Sequence, residues 1–302
     1  GWGFSPTVPQ SGKREDRNRV PRSIVAFMSA YLLSGDDRYL QVWRTQTDAI
    51  NRHARLIEGI VHAPTMYGRT PDGDTGWYGY KPGLYRANGL EIWYLSMRDS
   101  DLARADADHP WIHYLQGRNP AYPEESLRAA LDTVHARMNH LLNEDRTTRA
   151  TRLADALLEY NPAVVTALIH QMCGGIHIAR PSWSRTSPFQ GGAPFFARLR
   201  YFDPLRKRAG VPDNVAALVS ELTDATTTVT LVNLHPTRSR QVTVQAGGYG
   251  EHEFTAIEWG GRRHPWAGTA FTIDLAAGAG ETLTLQMRRH ANAPSLSAPW
   301  ER

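Results

Sequence analysis

The hydrophobic period of the chain changes once along its length, and this change limits the folds that it can adopt. Before residue 176, apolar residues recur at helical spacing, as Leu40 and Trp43 do. After residue 214, apolar and polar residues alternate, as they do around Phe271 and Ile273. The pattern predicts an α+β protein with a helical domain over residues 1–200, a linker at 201–214, an antiparallel β-sandwich over 215–290 and a tail at 291–302.

The first helical residues predict an antiparallel pair of helices. Ser34-Gly35 ends the first helix, and Asp36 is placed to cap the second. Further along, Pro123 is expected to open another helix, and Asn161-Pro162 one more that ends at Gly174-Gly175. The short connection near residue 35 makes the first two helices neighbours.

The stretch from Trp77 to Met97 carries the most unusual residue of the helical part. Residues 59–82 are rich in glycine and predict a long loop, and the following helix is apolar on nearly every side. Glu91 lies in the middle of that helix. A buried carboxylate is paired, hydrogen-bonded or held with a raised pKa, so Glu91 is either a working acid or a structural partner of a backbone group or an arginine.

Composition narrows the possible functions. The 302 residues carry a net charge of +4 and one cysteine, Cys173, which excludes a disulfide framework and a Cys-rich metal site. The positive balance favours an anionic partner, but the arginines are scattered, which argues against a nucleic-acid binder. No apolar run is long enough for a membrane span. The chain starts at Gly1 without a recognisable signal peptide, which fits either a processed chain or a piece of a longer one with an N-terminal portion or partner chain missing.

Two stretches resemble parts of carbohydrate-active enzymes that combine an (α/α) toroid with a C-terminal β-sandwich. SGDDRYLQVWRTQTDAINRHA, residues 34–54, is similar to the paired-helix repeats of such toroids. VTLVNLHPTRSRQVTVQAG, residues 229–247, looks like the hairpins of their β-domains. The resemblance implies a partial toroid, because only about five helices are legible where a full toroid needs roughly twelve. It also implies a substrate groove made by the loops at residues 59–82, 99–122 and 176–200.

Within that groove the residues allow two chemistries. A glycoside hydrolase needs two carboxylates, for which Glu91 and Glu159 are the candidates. A polysaccharide lyase needs a tyrosine or histidine base with a cation or amide that neutralises the uronate carboxylate. The predicted catalytic residues are Glu91, Glu159, Tyr80 and His113, and the predicted saccharide contacts are Trp77, Tyr78, Lys81, Arg118, Asn119 and Tyr122. The alternative for the aromatic residues is that they pack a domain interface.

The sequence therefore predicts a glycan-cleaving enzyme that acts on an acidic or uronate-containing saccharide. A hydrolase is preferred to a lyase because Glu91 is the most unusual residue. A non-catalytic glycan-binding or assembly subunit is the alternative from another class. The expected partner is an anionic oligo- or polysaccharide, with no metal, cofactor, nucleic acid or membrane span, in a periplasmic or extracellular setting.

Overall fold

The computed structural model describes residues 16–17, 23–82, 87–104, 109–143, 163–176 and 194–301. The chain divides into two compact units, Gly1–Ala107 and Asp108–Arg302. Both helices and antiparallel sheets are present, so the predicted α+β class is confirmed.

Seven α-helices lie within the described residues. They are α1 (Ser23–Ser34), α2 (Asp37–Asn51), α3 (Ala87–Ser96), α4 (Asp99–Leu102), α5 (Pro110–Leu115), α6 (Tyr122–Asn143) and α7 (Thr166–Cys173). A short 3-10 helix, Pro299–Glu301, lies near the C-terminus.

The described strands form three sheets. They are β1 (Asp16–Arg17), β2 (Arg55–Ile57), β3 (Ile60–Arg69), β4 (Thr75–Pro82), β5 (Leu199–Asp203), β6 (Arg208–Ala209), β7 (Val215–Leu222), β8 (Thr226–Asn233), β9 (Arg240–Ala246), β10 (Glu253–Trp259), β11 (Arg262–Gly268), β12 (Ala270–Leu275) and β13 (Gly280–Arg288). In the first sheet β3 is central and pairs with β1, β2 and β4. The other two have the strand orders β11-β10-β13-β8-β7 and β12-β9-β5-β6.

The predicted pair of helices at the start of the first unit is confirmed as α1 and α2. Gly35 has a φ of 65°, and its amide donates to the Tyr31 carbonyl at 2.7 Å, which closes α1. The Asp36 carboxylate accepts from the Arg38 amide at 2.9 Å and so caps α2. Leu40 and Trp43 of α2 are fully buried.

The helix expected after residue 84 is α3, and its second half is enclosed by protein. Residues 92–96 are all buried. The hydroxyl of Tyr31 donates to the Leu95 carbonyl at 3.1 Å, which ties α1 to α3. An apolar helix surface of this kind is typical of an inner helix.

A buried ion-pair network links α2, α3 and α4. Asp101 is fully buried and accepts two hydrogen bonds from Arg44, from Nε at 2.8 Å and from Nη2 at 2.7 Å. The hydroxyl of Ser96 and a guanidinium nitrogen of Arg104 also donate to this carboxylate, at 2.6 and 2.9 Å. Both oxygens of the carboxylate accept hydrogen bonds, and these bonds stabilise the buried charge.

Two predicted loops are wrong. Residues 59–82, expected to be a long loop, form the hairpin of β3 and β4, with Ala63 opposite Lys81 and Tyr67 opposite Trp77. Residues 99–122, also expected to be irregular, contain α4 and α5. The helix expected to start at Asn161-Pro162 starts at Thr166 instead, since Ala163–Val165 is not helical.

The predicted β-sandwich is present in the second unit. The sheet of β5, β6, β9 and β12 packs against the sheet of β7, β8, β10, β11 and β13 through one hydrophobic core. Its fully buried members include Leu199, Val242, Val244, Val219, Leu231 and Leu285. The sandwich starts earlier than predicted, because Leu199–Asp203 pairs with β9 and so includes the first residues of the predicted 201–214 linker.

Among the described helices, none combines the length and the apolar character that crossing a membrane requires. The toroid that the resemblance implies is not visible as a closed ring of helices in the described residues.

Candidate functional site

Three predicted saccharide contacts, Trp77, Tyr78 and Lys81, and the predicted catalytic residue Tyr80 lie on β4, on a strand and not on a loop. Successive side chains of a strand point to opposite faces of its sheet, so Trp77 and Lys81 share one face, and Tyr78 and Tyr80 share the other. The register between β3 and β4 is regular from Thr75 to Pro82, so no bulge changes this alternation. The predicted aromatic cluster is therefore split between two faces.

A cation lies over the ring of Tyr80. The guanidinium carbon of Arg55, on β2, is 4.4 Å from the centre of the Tyr80 ring. This distance is well inside the range in which a cation is attracted to the face of an aromatic ring. The pair places a positive charge directly beside a half-buried tyrosine.

Trp77 has a second ring against it on the opposite face. The imidazole of His53 stacks on the indole with ring centres 5.2 Å apart and planes inclined by 30°. Trp77, Tyr78 and Tyr80 are half-buried, whereas Lys81 is exposed. We call Arg55, Tyr78 and Tyr80 the β4 surface, and Trp77 and Lys81 lie on the opposite face of the sheet. Aromatic rings with a neighbouring cation and open edges suit a ligand that is both ring-shaped and anionic.

Glu91 is less buried than the sequence predicts. It lies on α3 next to the buried residues Ile92 and Trp93, but its own side chain is half-buried. The expectation of a fully enclosed carboxylate is therefore wrong. A catalytic role for Glu91 stays a prediction.

Four further predicted residues lie in the second unit, at the corner between α5 and α6. They are His113, Arg118, Asn119 and Tyr122. The backbone amide of Arg118 donates to the His113 carbonyl at 2.8 Å, and that of Tyr122 donates to the Asn119 carbonyl at 3.2 Å. The side chain of Arg118 is exposed and donates to Gln116, while His113 and Asn119 are half-buried. Two helix ends thus bring an imidazole, a guanidinium, an amide and a phenol into one short segment.

Tyr122 forms the most closely defined polar contact of this corner. Its hydroxyl lies 2.8 Å from Nδ1 of His170, on α7. The indole of Trp111 stacks on the same imidazole at 4.4 Å with the planes only 10° apart. Trp111, Tyr122 and His170 are all buried, and His109 meets His170 edge-on at 6.0 Å.

Burial shifts the pKa of Tyr122 further from neutral pH. Loss of water around the phenol raises the pKa of Tyr122 to about 12, and a hydrogen bond with Ser126 opposes this shift only in part. The phenol therefore keeps its proton at neutral pH and can donate it to Nδ1 of His170. We call Tyr122, His170 and Trp111 the Tyr122–His170 cluster. Chemically, it is a proton donor held against a proton acceptor.

Several predicted features cannot be matched to a described position. Glu159, the second predicted carboxylate, lies outside the described residues, as does most of the 176–200 segment. Glu91 and the residues of the β4 surface belong to the first unit, and His113, Arg118, Asn119 and Tyr122 belong to the second.

Within the described ranges, no three side chains of His, Cys, Asp or Glu converge as metal ligands would.

Sequence reasoning missed three contributors. His53 lies just before β2 and Arg55 begins it, and only the strand pairing shows that they reach Trp77 and Tyr80. His170 is buried, and its partner Tyr122 lies 48 residues away. In the sequence, the only indication of this contact is that His109, Trp111 and Tyr122 lie close together.

The comparison with known families gives one match. Residues 103–169 match a family described as Domain of unknown function (DUF8034). This segment contains α5 and α6 and therefore His113, Arg118, Asn119 and Tyr122, and it ends one residue before His170. No curated protein matches the chain. No solved structure matches it either.

Proposed function

We propose that the protein binds an acidic, uronate-containing saccharide and cleaves it. The observation that carries this proposal is the β4 surface, where the Arg55 guanidinium lies 4.4 Å from the Tyr80 ring centre. The faces of aromatic rings stack on the apolar faces of sugars, and the cation can pair with a sugar carboxylate. The net charge of +4 agrees with an anionic substrate.

The chemistry that the described residues support best is β-elimination. In this reaction a base removes the proton next to the uronate carboxylate, the bond to the glycosidic oxygen breaks, and an acid returns a proton to that oxygen. Tyr122, which stays protonated at neutral pH, suits the acid. His113 suits the base, and Arg118 and Asn119 on the same corner suit the carboxylate.

Hydrolysis remains the second candidate, because Glu91 is only half-buried and can contact solvent. A hydrolase would use Glu91 with a second carboxylate, for which Glu159 is the predicted residue. The antiparallel pair of α1 and α2, together with the enclosed α3, supports the further proposal that the helices are part of an (α/α) toroid.

The test is digestion of polygalacturonate, alginate and hyaluronan by the purified chain, with two readouts. Elimination produces an unsaturated uronate that absorbs in the ultraviolet, whereas hydrolysis produces reducing ends without that absorbance. Under elimination, Tyr122→Phe should lower kcat by about 100-fold, the usual size of an acid–base contribution. Tyr39→Phe, which changes a half-buried tyrosine on α2, is the control and should leave kcat unchanged.

Variants of the β4 surface test the binding part separately. Arg55→Met should weaken binding of the polymers, because it removes the cation beside the Tyr80 ring. Arg38→Met, which removes an exposed arginine of α2, is the control. Binding of all three polymers without any product would instead support a non-catalytic binding subunit, and no binding at all would refute the proposal.

A further inference from the structure

The hairpin of β10 and β11 carries two tryptophans on the surface of the β-sandwich. Trp259 and Trp266 each keep 39% of their surface exposed, although indole is among the side chains most often removed from water. Trp266 lies on β11, the last strand of its sheet, and Trp259 ends β10, the strand next to it. The exposed part of each indole is not covered by the packing of the sandwich.

Trp259 belongs to a stacked aromatic pair. Ile257 of the core lies opposite His264, and Trp259, two residues further along β10, is on the same face. The rings of Trp259 and His264 have centres 3.8 Å apart and planes inclined by only 20°. The imidazole supports one face of the indole and holds it in a fixed orientation.

Trp266 lies on β11, towards the end of that strand that is away from Trp259. Its ring meets Phe271 edge-on at 5.9 Å, so one side of this indole covers the core while the rest is exposed. Trp259 pairs with Arg262, and Trp266 follows Arg262 by four residues, so the two indoles are separated by about 13 Å along the strand. Two rings at that distance contact different units of a chain-like ligand.

The charge beside the rings is positive. Arg262 lies directly opposite Trp259 and is exposed, and within the described residues it has no ion pair. Arg263, on the other face of β11, is held by Glu258 and Gln286. Arg262 is therefore available to an external anion next to the indole, and Arg263 is not.

We propose that Trp259, Arg262, His264 and Trp266, the β11 surface, bind an acidic saccharide chain at a place separate from the β4 surface and the Tyr122–His170 cluster. The indoles stack on sugar rings, and Arg262 pairs with a carboxylate or sulfate on the sugar. The proposal shares its ligand class with the proposed function but requires no cleavage. Its role is to hold a polymer on the sandwich.

Oxidative footprinting of the whole chain tests this surface directly. Hydroxyl-radical oxidation of each tryptophan is measured by mass spectrometry with and without trigalacturonate. Oxidation of Trp259 should fall at least threefold on addition of the saccharide. Trp300, which is 37% exposed and packs on Phe202, is the matched control and should be unaffected.

Variants then measure the contribution of each group. Trp259→Ala should raise the trigalacturonate concentration that is needed to protect Trp266 by at least tenfold. Arg262→Gln should remove the preference for trigalacturonate over neutral maltotriose. Trp300→Ala should change neither. A Trp259 that trigalacturonate does not protect, or that maltotriose protects equally well, would overturn the proposal. Protection of Trp259 that rises with protein concentration in the absence of saccharide would identify a second protein copy as the occupant and would also overturn it.

The footprint separates this inference from the proposed function. Oxidation of Tyr80, measured in the same experiment, reports binding at the β4 surface, and product formation reports cleavage. Each can fail while Trp259 remains protected, and protection at Trp259 can fail while both of the others persist.

Discussion

Asp101 shows how a carboxylate can be ionised inside this protein. Burial alone would raise the pKa of Asp101, but hydrogen bonds from Arg44 and Ser96 outweigh it, so its pKa is lowered. The same contacts hold Arg44, which is itself only 5% exposed. A stabilising contribution of this sign is present above the ordinary pKa of aspartate and is lost as the pH falls through the lowered value.

Removing this carboxylate should destabilise the first unit. Asp101→Ala leaves the buried Arg44 guanidinium without its main partner, and breaking a buried pair in this way typically costs about 3–5 kcal/mol. The free energy of unfolding from urea titration at neutral pH is the measurement. The control is Asp36→Ala, which breaks only the exposed pair with Arg38 and should have a much smaller effect. Equal losses in both variants would contradict this account of the network.

Buried His252 makes the stability of the folded chain depend on pH. Burial, followed by the charges of Arg198, His290 and Arg289, holds the pKa of His252 well below its usual range. Its Nδ1 accepts a hydrogen bond from the His290 amide at 3.1 Å, which fixes the neutral form. The unfolded chain therefore takes up a proton that the folded chain does not, so stability should decrease as the pH falls below about 6.5.

The variant His252→Asn tests this dependence because its amide oxygen can replace Nδ1 as acceptor. Wild-type stability should fall by up to about 1.4 kcal/mol per pH unit more steeply than that of the variant below pH ~6. Neighbouring Glu251, whose pKa is raised by burial, acts in the opposite direction in both proteins, so the difference between the curves is the quantity to compare. His135→Asn, an exposed histidine on α6, is the control. Parallel wild-type and His252→Asn curves would refute the prediction.

At the scale of elements, the strands of the sandwich were predictable and the β3–β4 hairpin was not. Phe271 and Leu275 are buried at the spacing that their alternation predicts. In β4, by contrast, Gly76 and Gly79 interrupt the pattern, and Trp77, Tyr78 and Tyr80 are all half-buried, so no face reads as a core face. Pairing with β3 organises this segment, and partners of that kind cannot be read from local sequence.

The candidate site was predictable only in part for the same reason. His113, Arg118, Asn119 and Tyr122 are close in sequence, so one corner brings them together. His170 joins Tyr122 across 48 residues, and Arg55 joins Tyr80 across two strand pairings. Contacts of this separation depend on the packing of whole elements, which no local pattern specifies.

At the end of α7, Gly175 lies against the backbone of the chain that enters β5. A methyl group added at Gly175 would lie 2.2 Å from the carbonyl oxygen of Phe196, which is backbone and cannot turn aside. Gly175→Ala should therefore lower the free energy of unfolding by about 1–3 kcal/mol or more. Gly76→Ala, on β4, meets only Thr70 at 3.9 Å and should be neutral or stabilising by up to about 1 kcal/mol. Thermal unfolding of both variants gives the comparison, and an equal loss in the two would rule out the steric explanation.

At the scale of the molecule, the two units have separate means of stabilisation. The core of the sandwich consists of residues between Leu199 and Met287, with Met172 and Cys173 packed against it. The Arg44–Asp101 network belongs wholly to the first unit. Each unit therefore has its own core or network, as expected of separate domains.

This division predicts that damage to one unit stays within it. Hydrogen exchange followed by mass spectrometry should show Asp101→Ala accelerating exchange in α2 and α3 by about a hundredfold or more, while β8 and β13 keep their protection. Gly175→Ala should have the reverse pattern, because its steric conflict lies between α7 and the chain entering β5. The two variants serve as each other's control. If either one accelerated exchange throughout the chain, the units would unfold together, and the sandwich and the helical part would have to share one cooperative core.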